Sequence, residues 1–302
     1  MEVNREDLDF AYSPSRWSKR LPADKIAEDH LQVGKEAFEK AKLQFDHELD
    51  VVYTEDNVCL NLFHPKTVMP DAPVLIYIHG GYWQLVCEGD GAHLALGLQN
   101  NGIIVVCPKY TIAPKGTMQQ MVNEIRQAVV FVAKRYPKTR GIFLSGHSAG
   151  GHLAAMCLPV DWTAFGLKQD IIKGMLLFSG VFDVTPLVHT YVNKPLKMTE
   201  AEAKAVSPVK YIKESCQLSK HCKIIAAVGE HDPPAFLQQS EDYCQQLENG
   251  GMSVKYVVVP GKDHFDIVHS MSLGNKNMMT QELLKLISMC AMARPSDEVT
   301  QG

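Results

Sequence analysis

The chain has 302 residues, 46% of them hydrophobic, and its 34 acidic residues nearly balance its 30 basic ones. This length suits one α/β domain with elaborations, and with no block rich in Lys and Arg we expect no nucleic-acid partner. The polar, acidic start of the chain is unlike a signal peptide, and no apolar stretch approaches the ~20 residues needed to cross a bilayer. We therefore expect no membrane partner and a cytosolic protein, with the nucleus as the alternative.

The cysteines and histidines do not follow a metal-binding pattern. Eight cysteines are scattered without a C-x-x-C pair, and twelve histidines form neither H-E-x-x-H nor a tight cluster with cysteine. The cysteines are therefore interpreted as reduced core thiols. We expect no metal and no cofactor, and a small-molecule substrate as the main partner. The sequence leaves a homodimer open.

The N-terminal third begins with a helical pattern. Residues 23–45 carry apolar side chains at helical spacing, which predicts an amphipathic helix within a helical extension at 1–48. Residues 50–53 and 58–63 predict an antiparallel hairpin. Residues 74–78 and 103–107 are continuous apolar runs, which are typical of strands buried on both faces of a mostly parallel sheet.

Helix and strand patterns then alternate along the rest of the chain. A helix is predicted from Met118 to Tyr136, closed by Pro137. The alternation predicts an α/β fold, with a mostly parallel central sheet and helices on both faces. Residues 184–221 are irregular, apart from a short helix near 200–206, and are predicted to form a small cap insertion; the tail 294–302 is predicted to be frayed. Further strands are predicted at 142–144, 175–178, 224–228 and 254–259, and further helices near 235–249 and 278–290.

A G-x-S-x-G pattern at residues 146–150 places Ser148 between an apolar strand pattern and a helix-forming run. In α/β-hydrolases such a strand, turn and helix form the nucleophile elbow, where small flanking residues let a strained turn lift the serine hydroxyl clear of the sheet. Larger residues would clash there. The context predicts that Ser148 is the nucleophile of a serine hydrolase with the α/β-hydrolase fold.

A serine hydroxyl needs a base to remove its proton, and the base needs an acid to fix its tautomer. In this fold the chain order is Ser, then Asp or Glu, then His, with acid and base on loops that follow strands. His264 directly follows the last predicted strand in a polar loop that contains glycine. We predict that His264 is the base, in preference to His269, which is expected to be helical, and His221, which precedes a strand.

Two carboxylates satisfy the chain order for the acid. Asp232 follows the predicted strand 224–228, and Asp183 follows the strand 175–178. We favour Asp232, because the strand before the histidine strand is the usual source of the acid in this fold, whereas Asp183 suits a capping role. Glu230 and Asp263 are interpreted as solvated loop charges.

An H-G-G-Y-W segment at residues 79–83 ends a buried strand. Two glycines allow the backbone to approach a developing oxyanion closely, so the amide of Gly80 or Gly81 is a predicted oxyanion donor together with the amide of Ala149. The aromatic pair that follows, Tyr82 and Trp83, is well placed to stack on a flat substrate. We predict that both residues bind substrate.

Several motifs together resemble the animal kynurenine formamidases, or arylformamidases, and the resemblance spans nearly the whole chain. The family implies hydrolysis of N-formyl-L-kynurenine to L-kynurenine and formate in tryptophan catabolism, whereas composition and spacing alone indicate only a serine hydrolase. Related hormone-sensitive-lipase-like esterases usually carry a third glycine where this chain has Tyr82. The motifs are Y-S-P-S-R-W at 12–17, H-G-G-Y-W at 79–83, I-A-P-K-G-T at 112–117, G-H-S-A-G at 146–150, S-G-V-F-D at 179–183 and D-H-F at 263–265.

Two other functions are compatible with parts of this pattern. A carboxylesterase for small acyl esters would share the same chemistry and differ only in its pocket. A non-catalytic receptor or adhesion module with this fold typically lacks one catalytic residue, and here all three positions are filled. The esterase is therefore the main alternative.

Overall fold

The computed structural model describes residues 5–86 and 89–292. The tail at 294–302, for which fraying is predicted, lies outside the described residues. Two pairs of neighbouring strands, β1 with β2 and β2 with β4, run antiparallel, and the remaining pairs of the sheet run parallel. The strands lie in the order β1-β2-β4-β3-β5-β6-β7-β8 and are β1 (Asp46–Val52), β2 (Cys59–His64), β3 (Val74–Ile78), β4 (Ile104–Pro108), β5 (Ile142–His147), β6 (Ile172–Phe178), β7 (Lys223–Gly229) and β8 (Ser253–Val259).

Helices cover both faces of this sheet. They are α1 (Arg5–Ala11), α2 (Ile26–Gln44), α3 (Asp90–Leu98), α4 (Met118–Arg135), α5 (Ala149–Ala155), α6 (Asn193–Leu196), α7 (Glu200–Ala205), α8 (Ile212–Leu218), α9 (Pro234–Asn249), α10 (Asp266–His269) and α11 (Met278–Met292). Short 3₁₀ turns are interspersed, at Pro14–Arg16, Trp162–Phe165, Thr185–His189, Pro208–Tyr211 and Ser270–Lys276. In the described chain, no helix combines the length and the apolar character needed to span a membrane.

The core has two halves, one on each side of the sheet. Strand β3 shows why: its alternate side chains Val74, Ile76 and Ile78 join the cluster beneath α4, α5 and α9, whereas Leu75 and Tyr77 join the cluster beneath α2, α3 and α11. Successive side chains of a strand point to opposite faces, so a strand covered on both faces must be apolar throughout. This requirement produced the continuous apolar runs seen in the sequence.

The predicted α/β architecture is confirmed, and the differences lie at the ends of elements. Strand β6 begins at Ile172 rather than at 175, because the polar Lys173 and the small Gly174 interrupt the apolar pattern inside the strand. Strand β1 begins at Asp46, inside the stretch assigned to the N-terminal extension, because edge strands can carry polar side chains. Helix α3 lies between β3 and β4, where the predicted alternation of strands and helices places one.

The carboxyl ends of β3, β5, β6, β7 and β8 meet at one edge of the sheet, since these strands are mutually parallel. In open α/β sheets the ligand crevice lies outside these ends. Each of these strands, with the exception of β6, is followed by one of the predicted site residues. The segment 184–221 folds into α6, α7, α8 and short 3₁₀ turns, and its Tyr191 reaches the cavity at this edge.

Candidate active site

The nucleophile elbow is a strained turn between β5 and α5. Ser148 has a φ of 54° and a ψ of −116°, a conformation that L residues rarely adopt. Glycines make the turn possible: a Cβ on Gly150 would lie 2.0 Å from the Ile78 carbonyl oxygen, and one on Gly146 would lie 2.2 Å from the Gly150 carbonyl oxygen. Ser148 also donates its backbone N–H to the Phe178 carbonyl at 2.8 Å. The local packing therefore fixes the serine at the carboxyl edge of the sheet.

The structure brings His264 and Asp232 together. His264 Nδ1 lies 2.6 Å from Asp232 Oδ1, and the two side chains are 4% and 0% exposed. A carboxylate only accepts hydrogen bonds, so Nδ1 carries the proton and Nε2 is the basic nitrogen of the ring. Asp232 Oδ2 accepts two further hydrogen bonds, from Ser179 Oγ and the Gly229 amide, both at 2.7 Å. These donors stabilise the ionised carboxylate in a buried position.

The alternative acid lies elsewhere. Asp183 Oδ1 accepts from the backbone amide of Thr185 at 2.9 Å and from its hydroxyl at 2.6 Å, and it also receives a longer bond from Ser207. Asp183 thus caps the start of the segment 184–221, and the structure pairs His264 with Asp232 instead. Ser179, which sequence reasoning did not select as a site residue, orients that acid. Its signals were its position directly after β6 and its place in the S-G-V-F-D motif.

The oxyanion loop, defined as residues 79–85, packs directly against the elbow. A Cβ on Gly80 would lie 2.9 Å from His147 Nδ1 and 3.3 Å from the Ser148 Cβ, so only glycine allows this approach. Gly81 has a φ of 103° and lines the same cavity as Ser148. Ala149 is the first residue of α5, and first-turn amides have no acceptor within their own helix. The three predicted donors therefore lie on the two segments that adjoin the serine.

The two aromatic residues of the loop have different surroundings. Tyr82 lines the cavity and donates its hydroxyl to the Tyr12 carbonyl at 2.7 Å. Burial, with Tyr191 and Tyr12 nearby, raises the pKa of Tyr82 well above its ordinary value, so the phenol stays neutral. Trp83 is fully buried at 0% exposure, and its indole faces His152 on α5. The prediction that Trp83 stacks on substrate is therefore wrong: the ring belongs to the core.

A cavity of about 240 Å³ opens beside Ser148 and His264. Its walls come from five parts of the chain: the N-terminal segment up to α2, the oxyanion loop, the elbow, the segment 184–221 and the loop after β8. Ring-bearing side chains supply much of the lining, which suits a flat aromatic ligand. The lining residues are Pro14, Ser15, Ala27, His30, Leu31, Gly81, Tyr82, Gln84, Leu85, His147, Ser148, Tyr191, His264 and Phe265.

Asp263, interpreted from the sequence as a solvated loop charge, is 2% exposed, so that interpretation is wrong. Arg20 Nε donates to Asp263 Oδ2 at 2.8 Å and Ser18 Oγ donates to the same oxygen at 2.6 Å. Burial alone would raise the pKa of Asp263, but the hydrogen bonds from Arg20 and Ser18 outweigh it and hold the pKa below its ordinary value. We call Ser18, Arg20 and Asp263 the N-terminal clasp.

The clasp fixes the residue next to His264 to a segment from the start of the chain. Asp263 Oδ1 also accepts from the amides of Phe265 and Asp266 at 2.9 Å, which shapes the loop that carries the histidine. Sequence reasoning missed the clasp because no local pattern links residues so far apart.

Several other histidines lie around the cavity. His30, on α2, lines it and shares a hydrogen bond of 2.7 Å between its Nδ1 and His269 Nε2. His147 Nε2 bonds the His264 carbonyl oxygen at 2.7 Å. His269, the alternative base, lies on α10 as a neighbour of His30. Among residues 5–86 and 89–292, no group of three or more His, Cys, Asp or Glu side chains is arranged to hold a metal ion.

The fold and this geometry define a class of enzyme, and comparison with known proteins agrees. The α/β hydrolase fold family matches residues 75–267, and the carboxylesterase family matches residues 9–126. The protein is thus an α/β-hydrolase. Among solved structures, one from Silicibacter sp., provisionally described as a thioesterase, has a TM-score of 0.76 and 26% identity and covers 93% of this chain and 99% of its own. A second solved structure is an esterase from Pyrobaculum calidifontis, with a TM-score of 0.68 and 17% identity. The match covers 96% of this chain and 97% of that one, and it supports the fold.

The full-length relatives are more specific. Kynurenine formamidase of Danio rerio is 40% identical over 94% of this chain and 97% of its own length, and kynurenine formamidase of Salmo salar is 40% identical over 95% and 97%. The Drosophila melanogaster enzyme of the same name is 25% identical over 90% of this chain. The chain belongs to the kynurenine formamidase family, which confirms the resemblance that its motifs suggested.

Proposed function

We propose that this enzyme hydrolyses N-formyl-L-kynurenine to L-kynurenine and formate, with Ser148, Asp232 and His264 as its catalytic triad. The observation that carries the proposal is the buried His264 to Asp232 hydrogen bond of 2.6 Å beside Ser148, in a chain 40% identical to kynurenine formamidases. The coupled base and acid supply the means to activate the serine, and the family membership supplies the substrate. The place of the enzyme in tryptophan catabolism follows from that reaction.

In the first half of the reaction, the Ser148 hydroxyl attacks the formyl carbon while His264 Nε2 takes its proton. The carbonyl oxygen becomes an oxyanion, to which the amides of Gly80 or Gly81 and of Ala149 donate. Asp232 stabilises the imidazolium that forms. The tetrahedral intermediate then collapses: the C–N bond breaks, His264 gives its proton to the departing aryl amine, and L-kynurenine leaves a formyl ester on Ser148.

In the second half, water replaces the amine. His264 removes a proton from the water, whose oxygen attacks the formyl ester, and the same amides stabilise the second oxyanion. The C–O bond to Ser148 breaks, and the proton on His264 returns to the serine oxygen. Formic acid is released and ionises to formate and a proton in solution, and the enzyme returns to its starting state.

The cavity supports an aryl formamide as the substrate. Tyr82, Tyr191 and Phe265 offer aromatic surface, and edge or offset contacts between rings are worth ~0.5 to 1.5 kcal/mol beyond area burial. A formyl group has only hydrogen on its carbonyl carbon, so the space for the acyl group can be small. Tyr82 stands where related esterases carry glycine, and its ring occupies part of the cavity wall.

The acyl preference tests the proposal. We would measure kcat/KM for N-formyl-L-kynurenine, its N-acetyl analogue and phenyl butyrate in the wild type and in Tyr82→Gly. One methylene beyond the capacity of a pocket costs about 1 to 3 kcal/mol, so the acetyl analogue should be roughly 10 to 200 times slower in the wild type. Glycine tolerates the φ of 48° at position 82, so Tyr82→Gly should fold and narrow this gap. A wild type that prefers the butyrate ester contradicts the formamidase proposal.

The second candidate is a carboxylesterase for small acyl esters. It is favoured by the carboxylesterase family match at residues 9–126 and by the esterases among the structural relatives. The butyrate arm of the same experiment separates the two functions, because an esterase would turn over phenyl butyrate faster than either amide.

We also propose the cytosol as the location; a homodimer stays open on the sequence. The seven cysteines within the described residues are free, which suits a reducing compartment. Cell fractionation with an antibody against the chain tests the location, and recovery in a membrane pellet or a secreted fraction would contradict it. Sedimentation equilibrium at micromolar concentration gives the oligomeric state.

A further inference from the structure

The oxyanion loop contains two successive residues in an unfavourable backbone conformation. Tyr82 has a φ of 48° and Trp83 a φ of 60°, and neither is a glycine. A positive φ is unfavourable for residues other than glycine, so the conformation persists only where the surroundings over-determine it. Something other than the intrinsic preference of the chain therefore holds this loop in place.

Three consecutive side chains of the loop donate hydrogen bonds to three different parts of the chain. Tyr82 donates to the Tyr12 carbonyl in the N-terminal segment at 2.7 Å. Gln84 Nε2 donates to the carbonyl of Val192, in the segment 184–221, at 2.7 Å. Between them, Trp83 Nε1 donates to His152 Nδ1 at 3.2 Å. Of the three, only the Trp83 bond joins the loop to α5, the helix that begins next to the nucleophile.

The Trp83 to His152 contact is buried and chemically well defined. An indole N–H can only donate, so His152 Nδ1 must accept, and His152 Nε2 therefore donates to the Val206 carbonyl at 2.7 Å. The indole and imidazole rings also meet edge to face, with centroids 5.0 Å apart. Burial lowers the pKa of His152 to about 4, which keeps the ring neutral and this tautomer in place at neutral pH.

We propose that Trp83 and His152 are positioning residues that hold the amides of the oxyanion loop in register with Ser148. The inference builds on the proposed mechanism, and it assigns to Trp83 a role other than substrate contact. The connection is short, because Trp83 lies three residues after Gly80 and His152 lies one helical turn after Ser148. A shift of the indole therefore moves the oxyanion donors relative to the serine.

The expected defect lies in turnover rather than in binding. An oxyanion forms only after attack, so misplaced amides weaken the transition state more than the bound substrate. A displacement of about 1 Å in a catalytic site can lower the rate roughly 100-fold. We therefore expect Trp83→Phe and His152→Leu each to lower kcat about 10 to 100-fold with little change in KM.

A matched control is available in Trp162. This tryptophan is buried at 1% exposure and its Nε1 has no hydrogen-bond partner among the described residues. Trp162→Phe therefore makes the same change of side chain in the core, at a residue that belongs neither to the loop nor to α5. It should lower the melting temperature to a degree similar to Trp83→Phe, while kcat stays at the wild-type value.

The experiment compares wild type, Trp83→Phe, His152→Leu, the double variant and Trp162→Phe. For each we would measure kcat and KM on N-formyl-L-kynurenine and the rate of labelling of Ser148 by a fluorophosphonate, whose phosphoryl oxygen uses the same amides. Residues that act through one contact give a double variant little worse than either single variant. We expect kcat and the labelling rate to fall together in the loop variants and not in Trp162→Phe.

Three results would overturn the inference: wild-type kcat and labelling in a folded Trp83→Phe, a loss that lies wholly in KM, or losses that add in the double variant. If Trp83→Phe does not fold, the comparison of His152→Gln with His152→Leu tests the inference. Glutamine retains a hydrogen-bond acceptor and a donor, whereas leucine has neither. A faster His152→Gln than His152→Leu then supports the inference, and equal rates refute it. Labelling does not depend on the substrate, so a wild type inactive on formamides refutes the proposed function alone.

Discussion

Two strained turns meet at Ser148, and they are stabilised in different ways. The elbow is held by its own backbone packing, since Gly150 lies against the Ile78 carbonyl so closely that any Cβ would clash. The oxyanion loop is held by side chains that reach the N-terminal segment, α5 and the segment 184–221. The elbow therefore depends on backbone contacts with neighbouring strands, whereas the loop depends on side-chain hydrogen bonds to three separate segments. Loss of the nucleophile at the elbow should abolish activity, whereas changes in the packing of either turn should lower it by degrees.

The largest expected effect comes from removing the nucleophile or the base while the elbow keeps its shape. Ser148→Ala and His264→Ala should each lower kcat by about 10⁶, because the members of a triad act as a unit. Both variants should keep the wild-type melting temperature within a few degrees, and intact-mass analysis should show no fluorophosphonate adduct on Ser148→Ala. Turnover of either variant near the wild-type rate would show that these residues are not the nucleophile and base.

Replacement of the catalytic acid should give the next largest loss of activity. Asp232→Asn should lower kcat by about 10⁴, because an amide that donates to Nδ1 favours the wrong tautomer of His264. Asp183→Asn is the matched control, since that carboxylate caps Thr185 and does not meet the histidine. It should affect stability and leave kcat close to the wild-type value. A large loss of kcat in Asp183→Asn, with wild-type kcat in Asp232→Asn, would show that Asp183 is the acid.

A smaller effect on activity distinguishes two neighbouring glycines, Gly150 at the end of the elbow and Gly151 just after it. Gly150→Ala would place a Cβ 2.0 Å from the Ile78 carbonyl oxygen, so the turn must shift; kcat should fall about 100-fold and stability by about 1 to 3 kcal/mol. Gly151→Ala meets its nearest neighbour, the Gly180 Cα, at 3.0 Å and needs only a slight adjustment. In steady-state kinetics and urea denaturation, Gly151→Ala should keep a much higher kcat and a higher free energy of unfolding than Gly150→Ala. Equal losses would mean that packing does not hold the elbow.

The smallest effect concerns the N-terminal clasp. Arg20→Gln removes a charged donor to the buried Asp263 and should lower the free energy of unfolding by about 1 to 3 kcal/mol at pH 7. The clasp lowers the pKa of Asp263, so its contribution is complete above the unfolded pKa of ~3.9 and is lost as the pH falls through the folded value. The difference from wild type should therefore shrink below about pH 4.

Urea titrations at several pH values measure this difference. Arg140→Gln is the control, because Arg140 pairs with Asp71 at the surface and both side chains are 38% exposed. Exposed ion pairs contribute about 0 to 1 kcal/mol, so this variant should lie close to the wild type. A loss in Arg20→Gln that does not vary with pH would mean that Asp263 is not its partner in solution.

The same contrast explains what the sequence could reveal. Strands β3 to β7 were predictable because burial on both faces requires apolar runs, and the elbow was predictable because its turn requires glycines at fixed positions. Asp232 and His264 could be selected because each directly follows a strand. The burial of Trp83 was not predictable: a pattern identifies an aromatic residue but not which way its ring points.

The burial of Asp263 escaped prediction for a related reason. Its charge is compensated by Arg20, which lies 243 residues away in the chain, so no window of local sequence contains both partners. Hydrophobic periodicity reports whether an element has a buried face, and it carries no information on which distant segment completes a pocket. The sequence likewise carried no sign that Pro14 and Tyr191 form walls of the cavity beside Ser148, because both lie far from Ser148 in the chain.

The clasp also sets an order of events during synthesis. Ser18 and Arg20 leave the ribosome long before Asp263, their partner, which follows only after nearly all of the sheet has been made. The pocket also needs His264 and Phe265, which line it and follow Asp263 in the chain. The substrate pocket is thus completed in the closing stage of folding, and a nascent chain that already contains the nucleophile has no finished pocket in which to use it.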